Sequence, residues 1–230
     1  MNQQTTTAIV LSRTDYSEAD RIVTMLTSDY GKLRLMAKGV RKVKSKLAGG
    51  IELFSISHIT FIRGRSDIST LVSTRLIKHY GHIVSDIDRV QLGYDLLKLV
   101  NRVTEDNAET EYFDLLEHTF EALDDPIVPN DLIRMWFYAQ LLRLGGHTPN
   151  LHTDVKGKKL LPDATYRFDY DTIGFVSDEQ GSFASAHIKY LRLIFSDNQP
   201  AVLLRVRGQA ELLVSVRPIV EAMRNTFIRI

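Results

Sequence analysis

Lys38-Gly39-Val40-Arg41-Lys42-Val43-Lys44-Ser45-Lys46-Leu47-Ala48-Gly49-Gly50 sets five cations, Lys38, Arg41, Lys42, Lys44 and Lys46, within nine residues and without an intervening acid. Glycines at both ends let the backbone turn. The stretch reads as a flexible cationic loop, held toward solvent by the β-rich segments Gly31 to Ala37 and Ile51 to Ile56. A polyanion is its natural partner.

The loop stands in a charged half of the chain. Over 230 residues the net charge is only +1, but residues 1–80 carry 13 Lys and Arg against 6 Asp and Glu, and residues 81–230 carry 16 against 22. The cations are therefore concentrated in one module. A 44% hydrophobic and 25% charged composition is that of a globular protein able to bury a core. The absence of cysteine excludes disulfides, iron–sulfur clusters and thiolate zinc sites. No signal-peptide pattern opens the chain and no run approaches about 18 apolar residues, so the expectation is a soluble, cytoplasmic protein.

Around the loop, residues 1–80 read as β. Ala8 to Leu11, Arg21 to Leu26, Lys32 to Ala37, Ile51 to Ile62 and Ile68 to Ile77 are short runs with period-two character. Five short strands with one irregular connection, between the third and fourth, predict a closed barrel of the OB type. In the third strand Leu33, Leu35 and Ala37 would face the core, leaving Lys32, Arg34, Met36 and Lys38 on the other side. The turn Arg63-Gly64-Arg65-Ser66-Asp67 stands where such barrels carry a second binding loop. Two cationic loops and a cationic strand would line one groove. The acidic first turn, Thr14 to Asp20, would screen one end of that groove, make ion pairs that position Arg21 and its neighbours, or be a polar hairpin turn only.

At Tyr80-Gly81-His82 the period changes from two to 3.6, which predicts a boundary between a nucleic-acid-binding domain, 1–80, and a helical domain, 81–230. Ser85 or Asp86 would cap a helix with Ile87, Val90, Tyr94, Leu97 and Val100 on one face. A second helix follows from about Glu109 to Leu123, and a third from Asp131 to Leu144 carries Ile133, Trp136 and Phe137 and stops at Gly145-Gly146. Residues 147–183 are irregular, with β-like pieces at Tyr166 to Phe168 and Gly174 to Val176. Helix returns at Ala186 to Phe195 and at Gln209 to Ile228, where Pro218 would kink or restart it. The expected class is α+β multidomain.

No phosphate loop, dinucleotide fingerprint, nucleophile elbow or zinc-protease motif occurs in the sequence. His147, His152 and Asp154, with Asp169 and Asp171, are the candidate metal ligands, in a spacing that matches no ligand pattern. The expectation is a binding protein without a catalytic site.

Ser17-Glu18-Ala19-Asp20-Arg21-Ile22-Val23, Gly31, Ala37-Lys38-Gly39-Val40-Arg41-Lys42, Lys44-Ser45 and then Phe54 resemble the N-terminal domain of the bacterial RecO proteins of DNA repair, and the barrel-then-helices layout is similar over essentially the whole chain. The resemblance implies an OB fold that binds single- and double-stranded DNA, a recombination mediator that anneals complementary strands and assists RecA loading, and nucleoid association. The implied partners are RecR and the C-terminal tail of the single-stranded DNA-binding protein. Many members carry a four-cysteine zinc ribbon after a Gly-x-x-Pro-x-Leu segment. Here Gly146 to Leu151 keeps that segment, while Asp154 and Gly157, and approximately Ser177 and Gln180, stand at the cysteine positions. The insertion is then a degenerate ribbon, expected to be metal-free and held by packing, and no cofactor is expected.

On this reading Lys32, Arg34, Lys38, Arg41, Lys42, Lys44, Lys46, Arg63 and Arg65 neutralise phosphates and release counterions. In the acidic helical half, an apolar pocket beside Arg134, Arg143, Lys189 or Arg192 would accept an acidic tail. Three alternatives make different predictions. An RNA- or ribosome-associated adaptor would prefer RNA and not anneal, a metal-dependent hydrolase would turn over substrate with divalent metal, and a protein scaffold would be indifferent to loss of the loop charges.

Overall fold

The computed structural model describes residues 3–64, 67–104 and 110–228. The chain divides into two compact units, Met1–Pro126 and Ile127–Ile230. In the first, five strands run β1 (Gln3–Asp15), β2 (Arg21–Thr27), β3 (Gly31–Ala37), β4 (Ser55–Ile62) and β5 (Ile68–His79). β1 pairs antiparallel with both β2 and β4, β2 with β3, and β4 with β5. A short parallel joint, Arg34 to Met36 against Ile68 to Thr70, closes them into a barrel in the order β1-β2-β3-β5-β4.

Alternation fills the barrel as period two requires. Ala8, Val10, Val23, Met25, Leu35, Ala37, Ile59, Phe61 and Leu71 meet inside it. β1 begins earlier than the apolar run at Ala8, because Thr5, Thr6 and Thr7 pair with Thr60, Ile59 and His58 of β4. β4 begins later than Ile51. Residues Ala48–Gly50 form a 3-10 turn, Ile51 is buried in the barrel core, and Phe54 takes a left-handed φ of 55° before the strand starts.

Two helices belong to the same compact unit as the barrel, α1 (Ile87–Val103) and α2 (Glu111–Asp124). Asp86 caps α1, its carboxylate accepting from the N–H groups of Asp88 and Arg89. The buried face of α1 is Leu92, Gly93, Leu96, Leu97, Leu99 and Val100, whereas Ile87 and Tyr94, expected inside, are exposed. Leu97 and Val100 of the expected face are buried, and the Phe54 ring packs edge-to-face on Tyr94 and Phe120 and touches α1 where Gly93 has no side chain. Leu116, Phe120 and Leu123 of α2 are buried.

In the second unit α3 (Asn130–Leu144) buries Ile133, Trp136 and Phe137 and packs on α6 (Gln209–Phe227). Gly146, at φ +77°, ends α3, with the His147 N–H donating to Leu142 O. α6 runs through Pro218 as one helix and does not restart there. Between them lie the hairpin β6 (Tyr166–Asp169) and β7 (Gly174–Ser177), then α4 (Ser185–Ile194) and a short α5 (Pro200–Leu203). Trp136 Nε1 donates to Asn198 O at 2.7 Å, and the Gln140 amide to Ile194 O and Ser196 O. α3 thereby holds the connection after α4 by side-chain bonds.

Candidate nucleic-acid interface

The cationic segment is pinned by apolar anchors rather than free. Val40 and Ile51 are buried in the barrel core, with Leu47 and Ala48 packed against it. Between these anchors the backbone is a succession of turns, with Lys42 N–H donating to Gly39 O and Ser45 N–H to Lys42 O. Thr74 of β5 donates its hydroxyl to Leu47 O, and a β-carbon on Gly50 would lie 2.3 Å from that threonine. The sequence thus alternates anchors that enter the barrel mouth with cations that cannot. Lys38, Arg41, Lys42, Lys44 and Lys46 are all exposed. Among the described residues the four lysines have no acidic partner. The apex residue, Val43, is fully exposed between two of them.

The β1–β2 turn holds the other side of the loop. Gly39 N–H donates to Asp20 Oδ1 at 2.7 Å and Arg41 N–H to Ala19 O at 3.0 Å. Asp15 bonds Arg21 at 2.6 Å and lies 3.5 Å from Arg41, whose guanidinium also donates to Ser17 O. The Arg21 hydrogen bond, with the charges of Arg21, Arg41 and Arg13, holds the Asp15 carboxyl below its ordinary range. The acidic turn therefore makes ion pairs with Arg21 and Arg41, one of the readings of its sequence.

The remaining candidates separate. Arg34 is exposed on the outer face of β3. Arg63 is exposed and stacks over Tyr30 at 5.5 Å, at the end of β3 remote from Lys38, so about 20 Å of strand separates the two cationic segments. Arg65 lies outside the described residues. Lys32 is not a free cation. It faces outward as the alternation predicts, but its ammonium donates to Asn101 O at 3.0 Å and to Thr104 O, capping the C-terminus of α1.

The family description "Recombination protein O N terminal" matches residues 1–80, and "Recombination protein O C terminal" matches residues 84–211. The chain belongs to the RecO family. It is similar to the DNA repair protein RecO of Dehalococcoides mccartyi, with 30% identity over 215 residues that cover 90% of this chain and 84% of the relative. To the DNA repair protein RecO of a Roseiflexus species it is 30% identical over 232 residues, 97% of this chain and 79% of the relative. The RecO of Trichodesmium erythraeum is 30% identical over 202 residues, 80% and 69% respectively.

The residues that the resemblance sets at the cysteine positions of this RecO-family chain do not fit a metal. Asp154 is buried, and its Oδ1 accepts from the N–H groups of Lys156 at 2.9 Å and Lys158 at 2.8 Å. Its carbonyl accepts from Gly157, which has a left-handed φ of +77° and no ligating atom. The same turn recurs at Asp178: its Oδ1 accepts from Gln180 N–H and its carbonyl from Gly181 N–H. Ser177 and Gln180, set by the resemblance at the second pair, stand one residue before Asp178 and Gly181 of this turn. Two Asp-x-x-Gly turns brace the insertion beside its buried Tyr166, Phe168 and Phe175. Their repetition in the sequence was the available signal.

Among the described residues no group of three His, Asp or Glu is placed to hold a metal ion. His147 stacks on Phe227 at 4.2 Å, Asp169 accepts from Thr172 and from Asp171 N–H, and His152 lines a different cavity. That cavity, about 610 Å³, lies between the insertion and α4. Leu160, Pro162 and Ile188 supply apolar surface, and Lys159, Lys189 and Arg192 supply cations. Arg192 is partly committed, donating to Leu151 O through Nε and Nη2. Arg143 pairs with Asp197 at 3.1 Å, while Arg134 lines a smaller cleft beside Tyr138 and the Arg217–Asp131 pair. Among the described residues no helix is long and apolar enough to cross a membrane.

Proposed function

We propose that the chain is a DNA-binding recombination mediator of the OB-barrel type, working in DNA repair without covalent chemistry or a resident cofactor. The observation that carries this reading is the pinned loop, whose Lys38, Lys42, Lys44 and Lys46 are exposed and without acidic partners among the described residues. A fixed comb of cations neutralises phosphates on single or double strands without reading bases. Arg34, Arg41 and Arg63 extend it, and Tyr30 beneath Arg63 adds a ring near the strand path. Holding two strands on one cationic surface lowers their mutual repulsion, so complementary bases pair without nucleotide hydrolysis.

The partners follow from the RecO resemblance: RecR, the tail of the single-stranded DNA-binding protein, and RecA on the loaded strand. In this reading residues 1–80 bind nucleic acid and the C-terminal half docks proteins. The cavity beside Lys189 and Arg192 joins apolar surface to positive charge, the chemistry an acidic amphipathic tail requires.

The test is a salt titration of fluorescent oligonucleotide binding for the wild type and for Arg41→Ala/Lys42→Ala/Lys44→Ala. The expected result is weaker binding and a salt slope shallower by about 0.7 per lost contact on single strands and about 0.9 on duplex. Equal affinity and slope for the two proteins would overturn the reading.

A further inference from the structure

We infer that Asp15 is an internal stand-in for phosphate, a carboxylate that occupies Arg21 and Arg41 in the free protein and that an arriving strand must displace. The inference rests on the reading of the loop as a DNA interface. Three observations carry it.

The first is geometry. One carboxylate engages both guanidinium groups, Arg21 Nε at 2.6 Å and Arg41 Nη1 at 3.5 Å, and paired charges at such distances are what a bridging phosphate oxygen would replace. The second is access. About half of the Asp15 side chain is exposed, as is more than a third of Arg41, so the pair stands open to a competing anion. The third is a division of labour within the turn. Loop position is set by other groups, Asp20 accepting from Gly39 N–H and Ala19 O from Arg41 N–H. The Asp15 carboxylate makes neither of these bonds, so exchanging it for phosphate leaves the loop pinned.

The consequence is graded affinity. A strand that reaches Lys38, Lys42, Lys44 and Lys46 still has to break the Asp15 pairs before Arg21 and Arg41 join it. When the strand leaves, Asp15 recaptures them and speeds release. A single small anion lacks the additional lysine contacts that offset this displacement. A protein that must hand a duplex on after pairing gains from such a brake.

The experiment compares Asp15→Asn with the wild type on a fluorescent oligothymidine, by salt titration and stopped-flow dissociation, alone and in an Arg21→Ala/Arg41→Ala background. The expected result is about two- to fivefold tighter binding, the scale of one exposed ion pair, a slope steeper by about 0.7, and slower dissociation, all of them lost in the double-arginine background. Unchanged or weaker binding by Asp15→Asn would overturn the inference and make the turn a scaffold only. An equal gain without the two arginines would overturn it too, by showing a diffuse charge effect. If the triple loop variant binds as well as the wild type, the interface itself falls. If that variant is impaired and Asp15→Asn gains nothing, only the brake falls.

Discussion

The Lys32 ammonium closes the C-terminal end of α1, donating to the carbonyl oxygens of Asn101 and Thr104 from the outer face of β3. A cation that sequence places on a phosphate-binding strand is thus committed to a helix terminus within the same compact unit. Lys32→Ala should lower stability by about 1–2 kcal/mol, through the unmet carbonyls and the lost dipole interaction. It should leave the salt slope of DNA binding unchanged. Lys44→Ala should do the reverse, and denaturant melts beside salt titrations would separate the two roles.

Gly93 of α1 faces the ring of Phe54, and a β-carbon there would lie 2.5 Å from Phe54 Cε1. Phe54 is itself fixed by its left-handed backbone and by Tyr80 N–H donating to its carbonyl. Gly93→Ala should destabilise the first unit by about 1–2 kcal/mol, overpacking outweighing the gain in helix propensity. Thermal melts should show partial rescue by Phe54→Leu, which vacates the ring edge. Additive losses would show that the two sites do not meet.

Tyr80 is buried beside Phe120, with Lys78 over its ring, and burial pushes its phenol up to about 12. An unfolded tyrosine ionises near 10, so Tyr80 favours the folded state fully below that pH and withdraws its contribution as pH rises from about 10 to about 12. Its hydroxyl has no hydrogen-bond partner among the described residues. Tyr80→Phe should therefore change stability little at neutral pH and flatten the alkaline limb. Melts of both proteins across that range measure the difference.

Asp154 is buried and receives the N–H groups of Lys156 and Lys158. Asp154→Ala should cost about 2–3 kcal/mol by stranding both donors, whereas Asp154→Asn keeps an acceptor and should cost under about 1 kcal/mol. Melting should be the same with and without chelator. A chelator-dependent transition would show that the turns are not what holds the insertion.

The sequence alone determined what is local and periodic. Alternation in Leu33, Leu35 and Ala37 assigned the barrel-facing side of β3, Ser85 or Asp86 and Gly145-Gly146 bracketed helix ends, and uninterrupted cations at Lys38 to Lys46 marked an exposed cationic segment. These follow from neighbours in the chain, whose side-chain directions the backbone fixes. Only the tertiary structure decided which charges remain free. Lys32 is taken by a helix end 69 to 72 residues away, Arg63 reaches Tyr30 through barrel closure, and Asp15 meets Arg41 because the β1–β2 turn and the loop share one end of the barrel. It also decided that α1 buries Leu92, Gly93 and Leu96 beside Leu97 and Val100. Charge pairing and packing are made between residues distant in sequence, so they exist only once the chain has closed on itself.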